Sequence, residues 1–149
     1  MNHQTWVLVA NSSDAKIFRL VKFPEIKELT SLSHPESRLR DSELVTDRQG
    51  RNFEKGGVTR HAYQSRHDPK SQEMEKFARE IARFLCEAHV QGLFSRLYLF
   101  ASPAFLGILR PHLTEKLNGA IIAEEAKDLC LLDKSSIEEH ISDLRAIAR

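Results

Sequence analysis

Leu97-Tyr-Leu-Phe-Ala101 passes directly into Ser102-Pro103, and a helical pattern then leads to a second short apolar run, Ala120-Ile-Ile-Ala123. A strand, a helix and a strand in immediate succession constrain the fold more than anything else in this chain. The helix carries the chain back along the sheet, so the two strands lie parallel and are joined by a right-handed crossover. Phe105, Leu106, Leu109, Leu113 and Leu117 form the inward face of that helix. Ser102 suits the cap and Pro103 the first helical position, while Asn118-Gly119 ends the pattern.

The first part of the chain follows a different pattern. Trp6-Val-Leu-Val-Ala10 is apolar throughout, as expected of a strand covered on both faces. Asn11-Ser-Ser-Asp14 is a turn cluster, and Ala15 to Val21 returns as a second strand. Phe23-Pro24 interrupts it. A third strand runs from Glu25 to Ser33, with imperfect alternation through Ile26, Glu28, Leu29, Ser31 and Leu32. Three strands in a row predict an antiparallel meander. Asp68-Pro69 opens a long helix whose inward face is Met74, Phe77, Ile81, Phe84, Leu85 and Ala88, and Gly92 closes it. Ser135 and Glu138 read as a capping box for a last helix carrying Ile137, Ile141, Leu144 and Ile147. The predicted order is β-β-β-loop-α-β-α-β-α. That is an α/β chain with a mixed, ribonuclease-H-like sheet, read as a single domain over residues 1–149.

Between meander and helix lies a long polar loop, residues 34–68, with no apolar period. A segment of this length inside a compact domain is usually functional or disordered. It contains Arg48-Gln-Gly-Arg51-Asn-Phe-Glu-Lys55-Gly56-Gly57-Val58-Thr-Arg60-His61, with Arg66 and His67 following. Gly56-Gly57 allows a tip conformation closed to other residue pairs. The cations suit a polyanion such as an RNA backbone. Glu36, Asp41, Glu43, Asp47 and Glu54 offset much of that charge.

The whole chain carries a net charge of +1, so any basic surface is local. At 149 residues and 41% hydrophobic it can build one core. Cys86 reads as helix and Cys130 as strand end, both as buried thiols of an intracellular protein. Met1-Asn-His-Gln-Thr lacks the cations of a signal peptide, and no run reaches the roughly 18 apolar residues of a membrane span. The expectation is a cytoplasmic protein without membrane insertion.

Several runs carry a resemblance to a known family: Trp6–Ala10 with Ala15-Lys-Ile-Phe18, Asp47-Arg48-Gln-Gly50-Arg51, Arg60-His61 and Phe77-Ala-Arg-Glu-Ile-Ala82. Ala101-Ser-Pro103-Ala-Phe-Leu-Gly107-Ile-Leu-Arg110 and Lys127-Asp128-Leu129 complete the set. Together they resemble the bacterial host attachment protein family, grouped with relatives of the archaeo-eukaryotic peptide-chain release factors. The resemblance implies a domain similar to the release-factor central domain. There, the loop after the third strand carries a Gly-Gly-Gln tip that helps water attack the peptidyl-tRNA ester. Lys55-Gly56-Gly57-Val58 falls in the corresponding place, with Val where the family of factors has Gln.

Three readings follow. The first is a ribosome- or tRNA-associated module, with Arg48, Arg51, Lys55, Gly56, Gly57, Arg60, His61 and Arg66 against RNA. The second is a factor required for attachment to host cells, acting indirectly or through a protein partner. The third is a peptidyl-tRNA hydrolase that works without the Gln side chain. The absent Gln weighs against catalysis, and no catalytic residue or cofactor is assigned.

A two-metal nuclease needs converging carboxylates. Here the first strand offers Asn11 and Asp14, the strand Leu97–Ala101 ends in Ser102, and Glu124, Glu125 and Asp128 cluster only near the last strand, so no metal site is expected. His61 with His67 reads as a solvated pair. Cys86 with His89 lacks the further ligands of a zinc site. Arg110 could reach a ligand through its planar fork but is expected to pair with Glu124 or Glu125, and Trp6 and Phe100 to lie in the core.

Overall fold

The protein, described here as a computed structural model, is seen over residues 4–34 and 69–148, with side chains through Leu144. Three antiparallel strands come first: β1 (Thr5–Ala10), β2 (Asp14–Lys22) and β3 (Glu25–Ser33). Helix α1 (Pro69–Val90) leads to β4 (Arg96–Ala101). Helix α2 (Pro103–Leu109), a 3-10 turn (Arg110–His112) and helix α3 (Glu115–Ala120) lead to β5 (Ile121–Ala126), and helix α4 (Lys134–Ala148) follows.

The strands form one mixed sheet in the order β3-β2-β1-β4-β5, with β4 parallel to both β1 and β5. The predicted meander and the two parallel additions are therefore present. Strand β1 sits at the centre because its sequence lets both faces be covered. Trp6, Leu8 and Ala10 pack with α1, α2 and α3 on one side, and Val7 and Val9 pack with α4 on the other. Strand β4 divides the same way, with Leu97, Leu99 and Ala101 facing the first core and Tyr98 and Phe100 the second. Each fully buried Leu or Phe contributes about 1.5–3 kcal/mol of transfer free energy, so the two cores together hold the layers.

The imperfect period of β3 has a structural cause. Thr30 pairs with Ile17 and Glu28 with Phe18, which leaves Leu29 as an extra residue in a bulge. Ile26 therefore faces the α4 core while Leu32, an even number of residues away, packs on the α1 side. Strand β5, the opposite edge, repeats the device: Ile121 pairs with Leu97 and Ala123 with Tyr98, skipping Ile122. Both bulged residues are partly exposed, Leu29 at 42% and Ile122 at 44%. Bulges on the two outer strands disturb the edges that would otherwise template pairing with another chain.

The single helix expected from Ser102 to Leu117 is in fact two. Pro111 has no N–H to offer the carbonyl of Gly107, and its ring opposes continuation of the helix. The chain tightens into the 3-10 turn and restarts at Thr114, whose Oγ1 accepts the N–H of Leu117 at 3.1 Å. The observed order is thus β-β-β, then α-β-α-α-β-α, among the described residues. All five expected apolar positions of that stretch remain buried.

The capping box is also corrected. Asp133 caps α4, its Oδ1 accepting the N–H of Ser136 at 2.9 Å, while Ser135 is exposed. Glu138 instead accepts the backbone N–H of Ile26 on edge strand β3 at 2.9 Å. Gly92 ends α1 as expected: at φ 78° it lets its N–H reach the His89 carbonyl and Leu93 the Ala88 carbonyl, both at 3.0 Å. The last strand reaches Ala126, beyond the expected Ala123, and Cys130 lies in the turn after it.

Candidate nucleic-acid interface

The residues expected to face RNA, Arg48, Arg51, Lys55, Gly56, Gly57, Arg60, His61 and Arg66, lie outside the described residues, as does His67. The structure does describe where their segment begins and ends. The backbone N–H of His34, just past β3, donates to the Ser13 carbonyl at 2.8 Å. Its ring Nε2 lies 2.7 Å from Glu73 Oε1, on the first turns of α1. A carboxylate can only accept, so Nε2 carries the proton. The ring also stacks on Phe77, at 5.4 Å and 21°, and Phe77 packs on Phe105 at 5.9 Å. Glu73 is the one buried polar or charged residue among those described, 8% exposed, with Lys76 Nζ at 3.7 Å. Chain exit and chain re-entry are thereby clasped side by side. This contact has no local signal, because nothing in the chain between them links positions 34 and 73.

Beyond the clasp, an open cleft of about 520 Å³ runs between α1 and the 3-10 turn. Lys76, Arg79, Glu80, Ala82, Arg83, Cys86 and His112 line it. Its two walls are tied together: His112 Nε2 donates to Glu75 at 2.8 Å, and Cys86 Sγ lies 3.7 Å from Thr114 Oγ1. Lys76, Arg79 and Arg83 occupy one helical face at steps of three and four, away from the buried Phe77, Ile81 and Leu85. That spacing was present in the sequence, whereas the opposing wall with His112 was not.

The carboxyl ends of the parallel strands carry the other polar cluster. Asn11 Oδ1 accepts the N–H groups of Ser13 and Asp14 at 2.9 and 2.8 Å, closing the β1–β2 turn. Its amide donates to both oxygens of Asp128, at 3.3 and 3.1 Å, and Asp128 accepts the Cys130 N–H at 3.0 Å. Lys16 Nζ donates to the Cys130 carbonyl at 3.0 Å. These bonds staple the hairpin turn to the segment after β5. The thiol of Cys130 is pushed up from 9.0 to about 12, chiefly by burial and then by the Asp128 charge. Glu124 is bound by Arg110, as one of the two expected pairings, and Glu125 lies 3.9 Å from Lys127. Among the described residues no three His, Cys, Asp or Glu groups converge to hold a metal ion. Cys86 is half-buried, and the His89 ring lies 5.2 Å from Phe94 rather than beside the Cys86 thiol partner at Thr114.

The run Pro103 to Arg110 forms α2 and the first residue of the 3-10 turn. Its Phe105, Leu106 and Leu109 are core residues and Arg110 holds Glu124, so the run works in packing.

Fold and polar surface together define a three-layer α/β protein with a cationic helix face beside the base of a long polar segment. The family described as "Protein required for attachment to host cells" matches residues 6–141, and the chain belongs to it. No curated protein sequence matches the chain. Among solved structures, an archaeal translation termination factor is similar over 97% of this chain, at 9% identity and a TM-score of 0.47. The chain spans 39% of the length of that factor. Among the described residues no helix is long and apolar enough to cross a membrane.

Proposed function

We propose that this protein is a ribosome- or tRNA-associated binding module on a release-factor-like, ribonuclease-H-like domain, acting in the cytoplasm. The observation that carries the reading is the His34–Glu73 clasp. It joins the end of β3 to the first turns of α1, the described chain on either side of residues 35–68. That is the position from which the resemblance expects a tip-bearing loop to project. In sequence, Gly56-Gly57 is flanked by Arg48, Arg51 and Lys55 on one side and Arg60, His61 and Arg66 on the other. The strand order β3-β2-β1-β4-β5 supports the ribonuclease-H-like assignment.

With Val58 in the place of Gln, the module binds rather than hydrolyses. Salt-sensitive co-sedimentation with ribosomes, lost when Arg51, Lys55 and Arg60 are replaced by Gln, is the expected result. No association of the wild-type protein at low salt would sink the reading. Peptidyl-tRNA hydrolysis at background for the wild type, appearing in Val58→Gln, would show that the side chain alone was missing.

The family description favours a second reading, a role in attachment to host cells through protein partners or by an indirect route. Surface labelling of intact cells separates the two. Labelled protein on the outside supports direct attachment, and its absence supports the cytoplasmic reading.

A further inference from the structure

Arg79 and Arg83 line the cleft on α1 with no carboxylate paired to either, among the described residues. The nearby acids are mostly committed elsewhere: Glu73 holds His34 and Lys76, and Glu75 holds His112. Glu80 is the one acid in the lining. Two guanidinium groups left uncompensated on a fixed wall form an anion-seeking surface, since their planar forks match phosphate oxygens.

We propose that this cleft grips the sugar-phosphate backbone of RNA, giving α1 a contact surface separate from the Gly56-Gly57 segment. The choice of RNA over another polyanion rests on the function proposed above. The cleft itself rests on its own geometry. From Lys76 to Arg83 the helix rises about 10 Å at 1.5 Å per residue. Along a duplex, phosphates of one strand recur about every 3.4 Å, so the row faces roughly three of them. Ala82 and Cys86 between the cations are small enough to let a backbone approach. The His112–Glu75 and Cys86–Thr114 contacts hold the opposing wall, so the cations work against a fixed surface. The cleft is open along its length, which suits a polymer better than an enclosed metabolite.

The test uses fluorescein-labelled tRNA and, as a competing polyanion, labelled polyglutamate, each titrated with the full chain by anisotropy over a range of salt. Arg79→Gln with Arg83→Gln should weaken tRNA binding and lower the slope of log K against log salt by about 2, one per lost phosphate contact. Arg79→Lys with Arg83→Lys keeps the charge and should restore most of the slope. Both positions are exposed, so circular dichroism should show an unchanged fold. Unchanged tRNA affinity and slope in the Gln variant, no tRNA binding by the wild type, or equally tight cleft-dependent binding of polyglutamate would each overturn the proposal. Ribosome co-sedimentation separates it from the reading it rests on. If the Gln variant co-sediments and binds tRNA like the wild type, the cleft fails and the module reading stands. If cleft-dependent tRNA binding is present but the wild type never co-sediments, the cleft stands and the ribosome reading fails.

Discussion

Breaking the clasp at the base of residues 35–68 should cost measurable stability, and the cost should be cooperative between its two partners. His34 and Glu73 meet at 2.7 Å with side chains only 15% and 11% exposed, so water screens the contact weakly. Hydrogen bonds to charged groups in such settings contribute about 1.5–3 kcal/mol, against about 0.2–1 for exposed pairs. His34→Ala removes the 2.7 Å partner of the Glu73 carboxylate and the stack on Phe77. A loss of about 2 kcal/mol is expected. In a chain of this size that corresponds to a fall in Tm of roughly 4–8 °C. Glu73→Ala leaves the imidazole its stack on Phe77, so about 1–2 kcal/mol is expected. Removing both should cost less than the sum, with a coupling of about 1 kcal/mol in a double-mutant cycle read by urea unfolding. Strict additivity within about 0.3 kcal/mol would refute the view that this contact joins the two ends.

Other expected outcomes test separate parts of the fold. Cys86 should react with a thiol reagent at pH 8 while Cys130 stays unmodified until the protein unfolds, because burial and Asp128 hold the Cys130 thiol at about 12. A thiol raised in the folded state contributes stability below its unfolded value of 9.0 and loses it as pH rises towards 12. Stability should therefore fall over that window by up to about 1.4 kcal/mol per pH unit, and Cys130→Ala should remove this component. Asp133→Ala should lower the thermal midpoint whereas Ser135→Ala should leave it unchanged. The Asp133 carboxyl is held below 3.8 by the Ser136 N–H, so its effect is present above that pH and fades as acid protonates it. Arg110→Ala should change stability by less than about 1 kcal/mol, since the Arg110 side chain is 56% exposed; a larger loss would mean that the Glu124 pair anchors the start of the 3-10 turn.

The sequence by itself determined the elements whose signals are local. The unbroken apolar run of β1, the proline start of α2, the glycine stop of α1 and the meander all reflect interactions within a few residues, whereas the Ser102 side chain makes no cap hydrogen bond. The parallel placement of β4 and β5 also followed, because a helix between two strands permits little else. Elsewhere one local signal overrode another, or tertiary context decided. Pro111 outweighed the continuous apolar face from Phe105 to Leu117 and divided the helix. Asp133 took the cap of α4, and Glu138 was drawn to the Ile26 N–H of edge strand β3. Leu29 and Ile122 spoiled the alternation of their strands because the sheet edges are bulged.

The candidate interface was half legible. The cation-rich Gly-Gly segment is visible in the sequence, and the spacing of Lys76, Arg79 and Arg83 could have been read from helical period. Their meaning depended on which charges were already neutralised. That was settled only when folding brought His34 to Glu73, His112 to Glu75 and Arg110 to Glu124. Periodicity reports which side of a helix faces water. It carries no information about which distant side chain arrives there, and that arrival left Arg79 and Arg83 as the uncompensated charges of the cleft.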